Sequence, residues 1–377
     1  MKKIQMVDLV SQYEKIKPQV QSAINNILDK AQFINGPDVQ EFKTDLGSYL
    51  GAKHVIPCAN GTDALQIAMM ALGLKPGDEV ITPSYTYIAT TEVIGLLRLK
   101  PVFVDCEKDT FNISPKAIEA AITARTKAIV PVHLYGQSCD MEAIMKIAKK
   151  YDLKVIEDNA QAIGSDYTFS DGSVKKTGTI GDIGCTSFFP SKNLGCYGDG
   201  GAICTNNDEL AKQLEMVANH GQSKRYYHDV VGCNSRLDTI QAAVLRIKLK
   251  ELDNYIEARR KAAAFYDSKF ENIEGLTIPY RAKNTKHVFH QYTLQLSDKI
   301  DRDALVAYLG EKDIPAMIYY PVPAHKQKMF ATLETSSGNL DNTDWLTSRV
   351  FSLPMHTELE DEQLEYICAA VKDFIER

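Results

Sequence analysis

The run Thr186-Ser-Phe-Phe-Pro-Ser-Lys-Asn-Leu-Gly-Cys-Tyr-Gly-Asp-Gly-Gly-Ala202 decides the reading of this chain. Residues Cys185 to Phe189 form a short, largely apolar run that reads as a strand end. After a glycine-dense turn the chain resumes as a second apolar strand, Gly201-Ala-Ile-Cys-Thr205. Lys192 thus stands on a short loop between two buried strands. Burial disfavours the charged form of an amine, so desolvation at such a place lowers the lysine pKa and leaves a nucleophile. A Schiff-base lysine needs that environment, and a solvated surface lysine does not.

Upstream of this loop, from about residue 53, short β-branched runs alternate with helical periodicity. The expected strands are His54-Val-Ile-Pro57, Glu79-Val-Ile-Thr82, Pro101-Val-Phe-Val104, Lys127-Ala-Ile-Val-Pro-Val132, Lys154-Val-Ile-Glu157, Cys185-Thr-Ser-Phe188 and Ala202-Ile-Cys204. Helices are expected at 62–73, 87–98, 114–123, 140–151 and 207–219. Ser114-Pro115 marks one helix start, as an N-cap followed by proline at the first helical position. Such alternation predicts an α/β fold with a mostly parallel sheet covered on both faces.

Near residue 236 the texture changes. Arg236 to Asp267 contains no proline or glycine and keeps helical spacing, which predicts one long helix bridging two domains. Val288-Phe-His-Gln-Tyr-Thr-Leu-Gln-Leu296 alternates like a half-buried antiparallel strand. Helices at 301–311 and 360–376 frame the remainder. The expected division is a large domain over 1–250, N-terminal arm included, and a smaller α+β domain over 251–377.

With 377 residues, 44% of them apolar, the chain can bury a sizeable core. A net charge of −6 argues against nucleic-acid binding, which calls for a basic stripe. The eight cysteines include no CxxC pair and no metal-ligand spacing, so no metal is expected. No apolar run approaches membrane-spanning length, and the start lacks the apolar core of a signal peptide. A soluble cytoplasmic protein is expected.

Three further segments carry chemistry. Asn60-Gly-Thr-Asp-Ala-Leu65 follows the first strand and opens a helix. There Gly61 permits a tight turn, and the amides of Thr62 and Asp63 at the positive helix end suit an anion such as phosphate. An ordinary N-cap is the plainer reading of this segment alone. Ile156-Glu-Asp-Asn-Ala-Gln161 puts two carboxylates at the C-terminal edge of a buried strand, where open α/β sheets bind ligands. One of them there can keep a heteroaromatic nitrogen protonated, or the pair can merely cap a helix. Ser187 offers a hydroxyl near the Lys192 loop, and Tyr85 and Tyr87 are aromatic groups just past the second strand that suit either a planar cofactor or the core. The joint order of phosphate loop, aromatic, acid, serine and lysine is far more specific than any member.

These residues resemble the fold-type I pyridoxal-phosphate enzymes, and within them the DegT/DnrJ/EryC1/StrS nucleotide-sugar aminotransferases. The resemblance runs from Phe33-Ile-Asn-Gly-Pro37 through the segments above to Gly232-Cys-Asn-Ser-Arg-Leu-Asp238 and Tyr320-Pro-Val-Pro-Ala-His325. It implies a three-layer αβα large domain and pyridoxal 5'-phosphate as cofactor. Lys192 resembles the lysine that forms the Schiff base, Asp158 the partner of the pyridine nitrogen, and Gln161 the residue bonded to the phenolic oxygen. Gly61, Thr62, Asp63 and Ser187 resemble the phosphate cradle, and Tyr87 the aromatic stacked on the ring. Asn234 resembles an asparagine reaching the neighbouring subunit's cofactor phosphate, which implies a homodimer with composite active sites. Asn159 departs from the small residue many relatives carry there.

The same resemblance implies transfer of an amino group from L-glutamate to a keto nucleotide-sugar. The Lys192 loop is similar to members acting on 3-keto sugars, and Asn234-Ser-Arg-Leu-Asp-Thr-Ile-Gln-Ala-Ala243 to those aminating UDP-2-acetamido-2-deoxy-3-oxo-glucuronate. Arg236 would pair with a carboxylate of glutamate or of a uronic sugar, or else tie down its helix. Tyr320 and His325 are candidate sugar or nucleotide contacts, a surface turn being the plainer alternative. His220, after a helix end, is either a cap or a site neighbour. A dTDP-3-keto-6-deoxyhexose, amination at C4 and a non-catalytic cofactor-binding regulator are the rival functions. A cysteine desulfurase would need Cys196 as a mobile nucleophile.

Overall fold

The computed structural model describes residues 2–376; Met1 and Arg377, the outer limits of the expected domain division, lie outside the described residues. Alternation along the strands explains the architecture. In Glu79–Pro83, Val80 enters one apolar core and Ile81 the opposite one; Ala128 and Ile129, and Ile156 and Val155, divide the same way. Successive strand side chains point to opposite faces, so both faces must be covered. Helices Gly61–Ala71, Ala89–Leu96 and Asp208–Ala218 cover one. Helices Pro37–Leu50, Pro115–Ala121, Met141–Tyr151 and Thr239–Leu249 cover the other. The three-layer α/β arrangement is as expected.

Across the sheet the strand order is His54–Cys58, Gly201–Thr205, Ile183–Ser187, Lys154–Asp158, Thr126–Ile129, Glu79–Pro83, Lys100–Val104 and Ser336–Ser337. Gly201–Thr205 alone runs antiparallel to its neighbours. The last strand was not expected: it comes from late in the chain and pairs in parallel with Lys100–Val104. Phe330 and Leu340 pack near it against Phe103. A separate core gathers the helices Leu252–Phe270, Arg302–Glu311 and Asp361–Ile375 around the strands Tyr292–Leu296 and Val350–Leu353.

The expected helix 236–267 is corrected to two, Thr239–Leu249 and Leu252–Phe270. A tight Glu251 N–H bond to the Lys248 carbonyl interrupts the α-helical ladder there. The first helix serves the core under the Lys192 loop and the second continues into the other core. Periodicity carries no mark of that handover. The expected strand 288–296 shortens to Tyr292–Leu296, because Phe289 adopts φ +44° and the Arg259 guanidinium takes the carbonyls of Phe289 and His290. No helix among the described residues is long and apolar enough to cross a membrane.

Candidate active site

The C-terminal ends of the central strands open into a cleft of about 670 Å³. Asp158 ends one strand and Ser187 the next, while Gly61, Thr62 and Tyr87 follow two others. Lys192 lines the same cleft. Its loop is tied down from several sides: Cys196 N–H donates to the Phe188 carbonyl at 2.8 Å, Asn193 Nδ2 to Val288 at 3.0 Å, and Lys248 Nζ to Gly195 at 2.6 Å. A Cβ at Gly195 would lie 2.3 Å from the Pro190 carbonyl oxygen, so only glycine lets the turn close. Lys192 is half-buried, and desolvation lowers its ammonium to about 8, with the Asp158 carboxylate opposing the shift.

Of the two adjacent carboxylates, the structure assigns one to the cleft. Buried Asp158 accepts from Thr90 Oγ1 at 2.7 Å and from the Ala160 amide at 3.1 Å. Glu157 points to the opposite face, as the alternation of a strand requires. There it accepts from the amides of Gly178, Ile180 and Gly181 at 2.7 to 2.8 Å and from His133 Nε2 at 2.8 Å. His133 Nδ1 accepts from the Cys139 amide, which places the ring proton on Nε2. Glu157 is therefore structural. Asn159 donates to the Thr177 carbonyl and leaves the site intact.

At the helix start the expectation needs correction. The Asp63 amide is not free, because the Asn60 side chain caps it at 2.8 Å, and the Asp63 carboxylate accepts from Ser235 Oγ at 2.6 Å. Asp63 fixes the terminus, and the amides left toward an anion are those of Gly61 and Thr62. A Cβ at Gly61 would lie 2.7 Å from Ser187 Cβ, so the missing side chain is what brings that hydroxyl to the helix end.

Gln161 Nε2 donates to Tyr320 Oη at 3.0 Å, and its Oε1 accepts from the Tyr135 amide at 2.7 Å. Tyr87 and Tyr320 rings face each other at 5.9 Å across the cleft. Tyr85 takes the core alternative: it is buried, and with Tyr135 it donates to the Tyr319 carbonyl and so fixes the Tyr320 segment.

Of the other expected residues, His325, Arg236 and His220 are not brought together with these, and Asn234, expected at the neighbouring subunit's cofactor, does not line this cleft. His325 does not line the cleft: its Nδ1 pairs with Ser84 Oγ at 2.7 Å and its Nε2 faces Asp344 at 3.6 Å, as a side chain that holds down its own turn. Neither Arg236 nor Asn234 lines it; Asn234 is exposed on the surface. His220 is exposed, with its amide bonded to the Cys233 carbonyl. Conversely, Thr90, His290 and Gln291 were missed. Thr90 looks like any helix residue in sequence, and only its distance to Asp158 reveals it. The Cys196 thiol donates to the Phe188 carbonyl, and burial pushes its pKa up to about 12, which removes it as a nucleophile.

A half-buried amine, an oriented carboxylate, an anion-binding helix end and two tyrosine rings fit pyridoxal phosphate. The model of the DegT/DnrJ/EryC1/StrS aminotransferase family matches residues 14–372. The chain belongs to this family. It is an aminotransferase whose cofactor is pyridoxal 5'-phosphate. It is 46% identical to the UDP-2-acetamido-2-deoxy-3-oxo-D-glucuronate aminotransferase of Pseudomonas aeruginosa, over 98% of this chain and 99% of that one. It is equally 46% identical to a pleiotropic regulatory protein of Geobacillus stearothermophilus, over 98% of both chains. Its structure matches Bacillus subtilis NtdA with bound cofactor PMP at a TM-score of 0.88 and 31% identity, over 99% of this chain and 83% of that one.

Proposed function

We propose that this aminotransferase moves the amino group of L-glutamate to C3 of UDP-2-acetamido-2-deoxy-3-oxo-glucuronate in cytoplasmic synthesis of a polysaccharide precursor such as O-antigen. The observation that carries the chemistry is the meeting of Lys192 and the Thr90-oriented Asp158 in one cleft with the Gly61–Thr62 helix end. The choice of sugar rests on the likeness to the Pseudomonas aeruginosa enzyme.

Bound pyridoxal phosphate supplies an electron sink for the charge left when a carbon–hydrogen bond breaks. Lys192 Nζ, its pKa lowered by burial to about 8, would move the proton from the donor Cα to the cofactor carbon bonded to the amine, first as base and then as acid. Asp158 holds a proton on the pyridine nitrogen. Gly61, Thr62 and Ser187 hold the phosphate, Gln161 the phenolic oxygen, and Tyr87 covers the ring. In this reading Arg236 and Asn234 act in the neighbouring subunit's site. Support comes from the exposed Tyr226, Tyr227 and Val231 near Asn234, apolar groups that a homodimer would cover. With domains divided at residue 250, the large one would supply most of the cleft wall and the small one His290, Gln291, Tyr319 and Tyr320.

A panel of keto nucleotide-sugars incubated with enzyme, pyridoxal phosphate and glutamate tests the reading by release of 2-oxoglutarate. The UDP-3-oxo-uronate should turn over best. Preference for a dTDP-6-deoxy sugar or a 4-keto sugar would overturn the substrate assignment.

A further inference from the structure

A second cavity, about 390 Å³, adjoins the cleft and shares Ser191, His290, Gln291 and Tyr319 with it. Most of its remaining wall is apolar and flexible: Met6, Met317, Leu353 and Met355. No lysine or arginine lines it, so it offers a carboxylate or phosphate nothing to pair with. Its shared wall is polar and incomplete. His290, 9% exposed, leaves Nδ1 without a partner, and Gln291 leaves Oε1 without one. Buried polar atoms in this state call for a missing hydrogen-bonding group.

We infer that this cavity receives the acylamino substituent on the sugar carbon next to the reacting ketone. The inference rests on the aminotransferase reading above and adds a specificity site to it. Position favours it, because the ketone carbon must come to Lys192, and a substituent one carbon away must lie beside that residue. Ser191 and His290 form the wall there. Chemistry favours it as well. An acetamido group carries an N–H for the Gln291 oxygen, a carbonyl for a His290 N–H and a methyl for the methionines. The Arg259 guanidinium behind His290 spends its Nη1 on the Phe289, His290 and Met355 carbonyls. Burial, with the charges of Lys192 and Arg259, keeps the imidazole neutral, so this wall presents an uncharged ring to its ligand.

Equilibrium titration of the cofactor-loaded enzyme with UDP-N-acetylglucosamine and with UDP-glucose tests the site without turnover. The acetamido compound should bind at least about tenfold more tightly, the lower end of the discrimination expected when an apolar pocket loses the group that fills it. Gln291→Leu and Met317→Trp, each checked for native circular dichroism, should bring that ratio close to one. Equal binding by the wild type, or a ratio that survives both substitutions, overturns the inference. Bleaching of the Schiff-base absorbance by glutamate, followed separately, tests only the aminotransferase reading.

Discussion

Thr90 Oγ1 stands 2.7 Å from Asp158 Oδ2, and both residues are buried. The hydroxyl has one strong acceptor there, and the carboxylate gains a donor that fixes its plane toward the cleft. Hydrogen bonds to charged groups contribute about 1.5–3 kcal/mol.

Replacing Thr90 by valine keeps the shape and removes the donor. The glutamate half-reaction should slow by roughly 10- to 100-fold, about tenfold per 1.4 kcal/mol. Serine at this position should restore most of the rate. Single-turnover absorbance measures it, and a valine variant within twofold of wild type would remove Thr90 from the machinery.

Gly61→Ala addresses the phosphate cradle. The added methyl would meet Ser187 Cβ at 2.7 Å, too close without a backbone shift. Overpacking of this kind costs about 1–3 kcal/mol, so affinity for pyridoxal phosphate should fall by roughly 10- to 100-fold. Titration of the apoprotein followed by absorbance gives the dissociation constant directly.

Glu157→Ala should act on stability. It leaves three backbone amides and the His133 ring without their acceptor inside the core. A loss of about 3–5 kcal/mol is expected, as when one partner of a buried charged network is removed. Urea unfolding should show a lower midpoint at unchanged slope.

Lys192 makes a pH prediction. Burial lowers its pKa from 10.5 to about 8, so the unfolded apoprotein binds more protons than the folded one between those values. Stability contributed through this group therefore rises with pH across that window. The apoprotein difference between Lys192→Met and wild type should favour the variant at pH 7 and shrink between pH 8 and 10.5. Capture of pyridoxal phosphate by the wild type should reach half its maximal rate near pH 8.

Much of this site was legible because each element announces itself locally. Alternating β-branched runs placed the strands, and the order of Gly61, Asp158, Gln161, Ser187 and Lys192 along them placed the cleft. Other features depend on contacts distant in sequence. Which of Glu157 and Asp158 faces the cleft follows from the face of the sheet each side chain takes. The Thr90 bond and the His325–Ser84 pair are likewise set by packing, whereas the Asn60 cap on Asp63 is local, the plainer of the two readings of that segment. The edge strand Ser336–Ser337 has only two residues, too few for any period to register.

The most direct measurement is a stopped-flow mixing of glutamate with wild-type and Lys192→Ala enzyme preincubated with pyridoxal phosphate. Wild type should lose its Schiff-base absorbance and release one equivalent of 2-oxoglutarate per site, while the variant should lack the initial band and release none at a comparable rate. A band that glutamate leaves untouched in the wild type, or equal release from both proteins, would contradict the role of Lys192.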